Sequence, residues 1–491
     1  MDASIGRLLK YILVVFKLEL KIMILQDRIK VLNNKKIINN PYVVYWMQCS
    51  QRTEYNHALE YSIMQANELS KPLVVYFGLT DNFPEANERH YYFMLEGLKE
   101  VKTELARRNI KMIIRKISPE NGAIEISSFA ALMVVDRGYL RIERKWRTLL
   151  AQNAKCSVVQ VETNVIVPVE VASIKEEYAA YTLRNKISKR LEEFALPLNE
   201  RQCNVVSTDL KLPFDEYDIE DIDKAISQLK IDKTVKRVLY YKGGTSNAKL
   251  LLEEFILSKL SHYSELKNEP SKAYSSNMSP YLHFGQISPL YIYIKLMNVN
   301  LEDKKAFIEE LIIRRELSMN FVFYNDKYDS YESLPSWAVN TLEKHLVDAR
   351  EFIYSVQELE TAQTHDGYWN AAQREMLITG KMHGYMRMYW GKKILEWSKT
   401  PEEAYNTAIY LNNKYLLDGR DANGFAGIAW CFGKHDRPWG ERAIFGLVRF
   451  MNDKGLKRKF DMERYVHKIE SMAYTCVIIS DNEKTEQISL F

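Results

Sequence analysis

The chain has 491 residues, 46% of them hydrophobic and 27% charged, with a formal net charge of +4. This is the make-up of an ordinary globular protein with no low-complexity run, and its length implies two or three domains with substantial cores. A charge balance so close to neutral excludes a simple polycation, so any nucleic-acid role must come from how the charges are distributed.

Residues 4–25 are apolar but interrupted by Arg7, Lys10, Lys17, Glu19 and Lys21. The run is too broken for a membrane span, which needs ~20 apolar residues, and it has no small-residue cleavage site. It is expected to be a short amphipathic helix, or an extension upstream of a natural start at Met23. Residues 1–27 are therefore set apart as an N-terminal extension.

From residue 28 to about 170, apolar strand-like runs alternate with helical patterns. Five strands are expected, at Pro41–Met47, Pro72–Leu79, Ile110–Ile117, Ala131–Asp136 and Ser157–Glu162. Buried strands alternating with helices predict a doubly wound parallel sheet, which binds ligands at the carboxyl ends of its strands. No GxGxxG or Walker loop follows the first strand, so this α/β domain is either a scaffold or a crevice for a ligand of another type.

Residues 171–235, with Pro197, Pro213 and an acidic patch at Asp215–Asp223, are expected to be an interdomain connector. Residues 236–480 read as an all-α domain, with amphipathic periodicity over 246–260, 302–323, 371–397 and 401–415. Residues 481–491 form a polar tail. Five scattered cysteines and nine dispersed histidines give neither a disulfide framework nor a metal site, and they fit a reducing, intracellular compartment.

Four features of the helical domain carry chemistry. Tyr263 precedes a Ser275-Ser276-Asn277-Met278-Ser279-Pro280 turn, whose hydroxyls and free N–H groups suit a pyrophosphate, although a plain N-cap is the simpler reading. Trp390 and Trp397 share a helical face and Trp369 lies upstream. On spacing alone these are core residues, but neighbouring indoles also carry electrons. The Asp418-Gly-Arg-Asp-Ala-Asn-Gly424 loop offers two carboxylates and an amide after Asn412 and Asn413, with Arg387 as a candidate partner for Asp418, although a tight turn with a structural ion pair is the simpler reading. Between Trp430 and Lys459, eight basic residues face three acidic ones, with Trp430, Phe432 and Trp439 interleaved. That mixture suits either phosphate neutralisation with base stacking or a solvated basic face.

In order, Tyr368-Trp369-Asn370-Ala371-Ala372-Gln373, Met382–Trp390, Asp418–Gly424 and His435-Asp436-Arg437-Pro438-Trp439-Gly440 resemble the photolyase/cryptochrome family over about residues 28–472. The nearest branch is the class II cyclobutane pyrimidine dimer photolyases, a reading favoured by Gly384 where other branches often carry Asn. The resemblance implies an α/β antenna domain and a helical domain that holds FAD, active as FADH⁻. Tyr263, Ser275, Ser276, Met278 and Ser279 would cradle the phosphates, and Arg387 and Asp418 would pair beside the ring system. Asn412, or alternatively Asn423, would face flavin N5. Trp390, Trp369 and Trp397 would form the photoreduction chain, with Tyr389 nearby.

On the substrate side the resemblance makes Glu310 the carboxylate that steadies the dimer. Met388 and Trp430 would line the pocket for the flipped lesion, and Arg437, Trp439 and Arg449 would fill the hole left in the duplex. Arg314 stands where some relatives carry a second stacking tryptophan. A light-driven, monomeric lyase acting on damaged DNA follows, cytoplasmic or nucleoid-associated in a prokaryote, with a deazaflavin or folate antenna conceivable. A flavin photoreceptor without repair activity is the alternative, which the short polar tail disfavours.

Overall fold

The computed structural model describes residues 24–474. The expected N-terminal helix and polar tail lie outside that range. The packed chain takes up at once: Ile24 is buried, and the Arg28 guanidinium donates to the carbonyls of Glu162, Val165 and Ile166.

Six strands form one sheet in the order β1-β6-β5-β2-β3-β4, with β1 Ile29–Val31, β2 Tyr42–Trp46, β3 Leu73–Leu79, β4 Lys111–Lys116, β5 Ala130–Asp136 and β6 Ser157–Val161. The five expected strands are β2 to β6, all parallel, and every residue of β2, β3, β5 and β6 is buried. Such burial on both faces produces the continuous apolar runs in the sequence. The strand that the pattern missed is β1, three residues pairing antiparallel with β6 at the edge. Four helices cover the faces: α1 His57–Glu68, α2 Glu88–Arg107, α3 Pro119–Ser127 and α4 Arg141–Asn153.

The region expected as a connector is not a free linker. Its helix α5, Ala180–Phe194, buries Leu183, Ile187 and Phe194 in a core shared with the helical body. Farther on, Cys203, Ile219, Ile226 and Leu229 pack on the α/β core. Prolines and acids lie among these packed stretches, yet the buried apolar residues find partners in one of the two bodies.

The helical body holds α6 Thr245–Ser258, α7 Arg315–Tyr324, α8 Gly367–Thr379, α9 Gly384–Trp397, α10 Pro401–Tyr415 and α11 Ala422–Cys431. The pattern over 371–397 is two helices rather than one. Gly380 ends α8 at φ +69°, and the His383 ring accepts from Tyr385 N–H to start α9. The pattern over 302–323 also divides, with a π-helical segment at Glu309–Arg314 just before α7. No helix among the described residues is long and apolar enough to cross a membrane.

α2 joins the bodies. Arg89, at its first turn, donates to the carbonyls of Met376 and Leu377 at the end of α8 and to Tyr415 O at the end of α10. One guanidinium thus satisfies carbonyls left over at two helix C-termini, where a cation is favoured. Across the same interface Arg52 donates to Gly285 O at 2.9 Å. Gly285 sits at φ +67°, and a Cβ there would lie 1.9 Å from Cys49 O. Gly285→Ala is therefore expected to destabilise the protein by more than ~1 kcal/mol, read as a lower urea midpoint; an unchanged midpoint would show that the interface yields freely.

Candidate flavin and nucleic-acid site

The floor of the site is a cluster of charges. Asp418, buried after α10, accepts from Arg387 of α9 at 3.2 and 3.4 Å. Lys381, in the α8–α9 turn, donates to Ser279 Oγ at 2.7 Å, which brings the serine-rich turn to the same place. Burial alone would raise the Asp418 carboxyl, but Arg387 and Lys381 outweigh it and hold the group at about 2. Lys381 is pushed below the usual lysine range, chiefly by burial. It is a site residue that the sequence reading passed over, because a lone lysine in a turn carries no motif.

Beside this cluster Asn412 is wholly buried. Its Nδ2 donates to Asn413 Oδ1 at 3.1 Å, while its Oδ1 has no hydrogen-bond partner among the described residues. Arg387 Nε is likewise without one. A buried amide acceptor and a buried guanidinium donor left open at one site fit a polar heterocycle such as a flavin. Asn423 differs: it is half-buried at the start of α11 and donates to Asp421 Oδ2 at 3.4 Å. Within the serine turn, Ser275 bonds Asn277, Ser276 accepts from Met278 N–H, and Met278 is buried. Tyr263 stands edge-on to Phe255 and Phe307, with its phenol raised by burial.

The tryptophans meet as a continuous stack. The Trp390 and Trp369 rings lie 6.3 Å apart and within 7° of parallel, and Trp397 meets Trp369 edge-on at 5.6 Å. The Trp390 indole N–H donates to Gln373 Oε1 at 2.8 Å, and that of Trp369 to Trp390 O at 3.0 Å. Trp369 occupies the middle because α8 and α9 pack antiparallel. Tyr389 faces elsewhere: its phenol donates to the Asp366 carboxylate, and burial together with that charge raises it far above the ordinary range.

At the open side, the π-helical segment carries both Glu310 and Arg314. Glu310 accepts from Lys267 at 2.8 Å, a partner that the sequence reading missed although it lies four residues after Tyr263. The Arg314 guanidinium lies over the Trp430 ring at 5.7 Å, so a cation–π contact stands where a second indole could have stacked. Met388, on the α9 turn with Arg387, is half-buried. Farther along, Trp439 is 40% exposed between the guanidinium groups of Arg437 at 5.4 Å and Arg449 at 5.0 Å. A cleft of about 370 Å³ beside it gathers Arg442, Arg449, Lys454, Arg458 and Lys459. The basic run is thus a surface of cations around an exposed indole.

A second cavity, of about 140 Å³, opens at the carboxyl ends of β2 and β3. Trp46, Phe77, Phe83, Tyr91 and Trp146 form its apolar walls, and His90 and Arg420 close one side. Among the described residues no cluster of His, Cys, Asp or Glu is arranged to hold a metal ion.

The Asp418 carboxylate, depressed to about 2, stabilises the fold fully above the ordinary carboxylate range and loses that contribution as pH falls through about 2. Asp418→Asn should therefore cost roughly 2–3 kcal/mol at pH 7, with the gap to wild type closing as the pH falls below about 4. Urea midpoints of both proteins across that range measure it; a gap independent of pH would refute the charge assignment.

A family model described as DNA photolyase matches residues 43–203. A deoxyribodipyrimidine photo-lyase of Methanothermobacter thermautotrophicus is 51% identical over 451 residues, covering 92% of this chain and 99% of that protein. The enzyme of the same description from Potorous tridactylus is 38% identical, covering 87% of this chain and 81% of its own length. In fold, the chain is similar to a photolyase from Sulfolobus tokodaii solved with two FAD molecules, at a TM-score of 0.66 and 16% identity, covering 87% of this chain and 89% of that one. With these identities extending over nearly the whole chain, both bodies included, the protein belongs to the DNA photolyase family.

Proposed function

We propose that the chain is a deoxyribodipyrimidine photolyase of class II, a carbon–carbon lyase that binds FAD and splits cyclobutane pyrimidine dimers in DNA under light. It acts inside the cell as a monomer. One observation carries this reading: α9 presents Arg387 to the charged pocket and Trp390 to the tryptophan stack within four consecutive residues. A flavin site and an electron path thus share one helix.

Tyr263, the 275–279 turn and Lys381 would hold the FAD phosphates, and the Arg387–Asp418 pair would lie beside the ring system. Asn412 would take the position facing N5 in preference to Asn423, because its buried Oδ1 is an open acceptor. When bound and reduced, the flavin supplies the light-driven electron that opens the dimer's ring. Trp439, flanked by Arg437 and Arg449, enters the duplex as the lesion leaves it, and the neighbouring cations meet the phosphates. Trp430 and Met388 wall the pocket, with the Arg314 guanidinium laid over Trp430. Glu310, released from Lys267, hydrogen-bonds the dimer. The aromatic cavity at the ends of β2 and β3 suits a planar antenna chromophore, a deazaflavin or a folate.

Light-dependent repair of a thymine-dimer oligonucleotide tests the reading. Bound FAD without repair would instead favour a photoreceptor. Trp390→Phe should slow photoreduction of the oxidised enzyme several-fold while chemically reduced enzyme retains repair; unchanged photoreduction would remove the stack from the path. Glu310→Ala should lower repair yield several-fold with little change in Kd for damaged DNA, whereas a fall in affinity alone would make its role binding. Arg437→Ala should reduce the slope of log K against log salt by about 0.9, the release expected for one phosphate contact. An unchanged slope would place that cation away from the backbone.

A further inference from the structure

The tryptophan stack does not end at Trp397. Tyr354 stands edge-on to it at 5.3 Å, and its backbone N–H donates to Trp397 O at 3.3 Å. His365 also meets Trp397 edge-on at 5.3 Å and lies stacked on Phe352 at 3.9 Å. Tyr354 is half-buried and His365 exposed, whereas Trp369, Trp390 and Trp397 are all buried. The line of rings therefore reaches solvent at Tyr354 and His365.

Hydrogen bonding places an imidazole nitrogen against the phenol oxygen. The backbone N–H of His365 donates to Tyr354 Oη at 3.0 Å, and His365 Nδ1 lies 2.6 Å from the same oxygen. In the neutral tautomer that carries its hydrogen on Nε2, Nδ1 is the acceptor for the Tyr354 O–H. The arrangement is held by the neighbouring residue, since Asp366 caps α8 by accepting from Tyr368 and Trp369 N–H. The same short turn sets the proton acceptor and positions the central tryptophan.

The inner indoles lack this chemistry. Their N–H groups donate to neutral carbonyl oxygens, Gln373 Oε1 for Trp390 and Trp390 O for Trp369, and neither oxygen is a base. A tryptophan there that loses an electron keeps its positive charge.

We propose that the Tyr354–His365 pair is the proton-coupled outer terminus of the electron path. Trp390 loses one electron to the photoexcited, oxidised flavin, and the vacancy moves through Trp369 to Trp397. Tyr354 then gives one electron to the Trp397 radical cation while its O–H proton passes to His365 Nδ1. The products are neutral Trp397, a neutral Tyr354 phenoxyl radical and a His365 imidazolium, so one electron and one proton are accounted for. Moving the charge onto a solvent-facing imidazole removes the positive charge from the stack and opposes electron return. The assignment rests on the photolyase reading and extends its electron path by two residues.

Flash-induced absorption of the full-length, flavin-loaded protein tests it. In wild type the tryptophan radical signal should decay into a phenoxyl signal, and that step should slow in D2O. His365→Phe keeps a ring against Phe352 but removes the base, so the phenoxyl signal should be lost and the tryptophan radical should recombine. Tyr354→Phe should do the same, with His365→Gln as a second variant and with far-ultraviolet circular dichroism and flavin content as fold controls. A phenoxyl signal that survives in both His365 variants overturns the proposal. So does a wild-type decay with no phenoxyl signal, in which case loss of all radicals in Trp390→Phe would leave the photolyase reading standing. No flash-induced radical in wild type would sink both.

Discussion

The Asp418 carboxylate, buried between Arg387 and Lys381, ties together parts of the chain far apart in sequence. Taking a carboxylate out of water costs several kcal/mol unless nearby cations and hydrogen bonds offset it. Its partners come from α9, from the α8–α9 turn and, through Lys381, from the Ser279 turn. Each must hold its place for the charge to be tolerated. Gly380 makes the turn possible, since at φ +69° it lets the chain reverse between α8 and α9 with a Cβ position only 2.8 Å from Leu417.

Most of the remaining geometry follows from that anchor. With α9 fixed at Arg387, Trp390 three residues on is fixed too, against Trp369. The antiparallel return of α8 supplies Trp369 and Gln373, and the cap at Asp366 sets how deep α8 begins. On the other flank, the loop after α10 fixes Asn412 and Asn413. Asn413 in turn accepts from Arg420 N–H at 2.8 Å and donates to Glu85 of the α/β body at 2.5 Å. Arg420 itself donates to Asn413 O and meets His90, so the aromatic cavity and the charged pocket share one hydrogen-bonded wall.

The sequence made the sheet legible because its strands are buried on both faces and read as unbroken apolar runs. The edge strand Ile29–Val31 escaped, being too short for any period to register. The connector was misread because its packed parts are short and divided: the α5 face of Ala180, Leu183 and Ile187 packs against one body and Ile226 and Leu229 against the other, with prolines and acids between. At the site, residues inside ordered motifs were found where the structure gathers them, among them Arg387, Asp418 and the three tryptophans. Lys381, Lys267 and the Tyr354–His365 pair were not, and Gln373, though inside a motif, was given no contact. Their contacts are with partners distant in sequence or across a loop, and the period of a helix does not carry that information. The π-helical segment was equally silent, because its residues are ordinary helix formers.

If the Arg387–Asp418 floor, the open Asn412 acceptor and the tryptophan stack form one redox site, the chain holds a flavin that responds to light. The absorption spectrum of the purified chain, before and during blue illumination with a soluble thiol present, tests this most directly. Flavin bands that copurify with the chain and bleach in the light are the predicted result. A chain free of flavin absorbance, or one whose flavin bands do not respond to light, would contradict it.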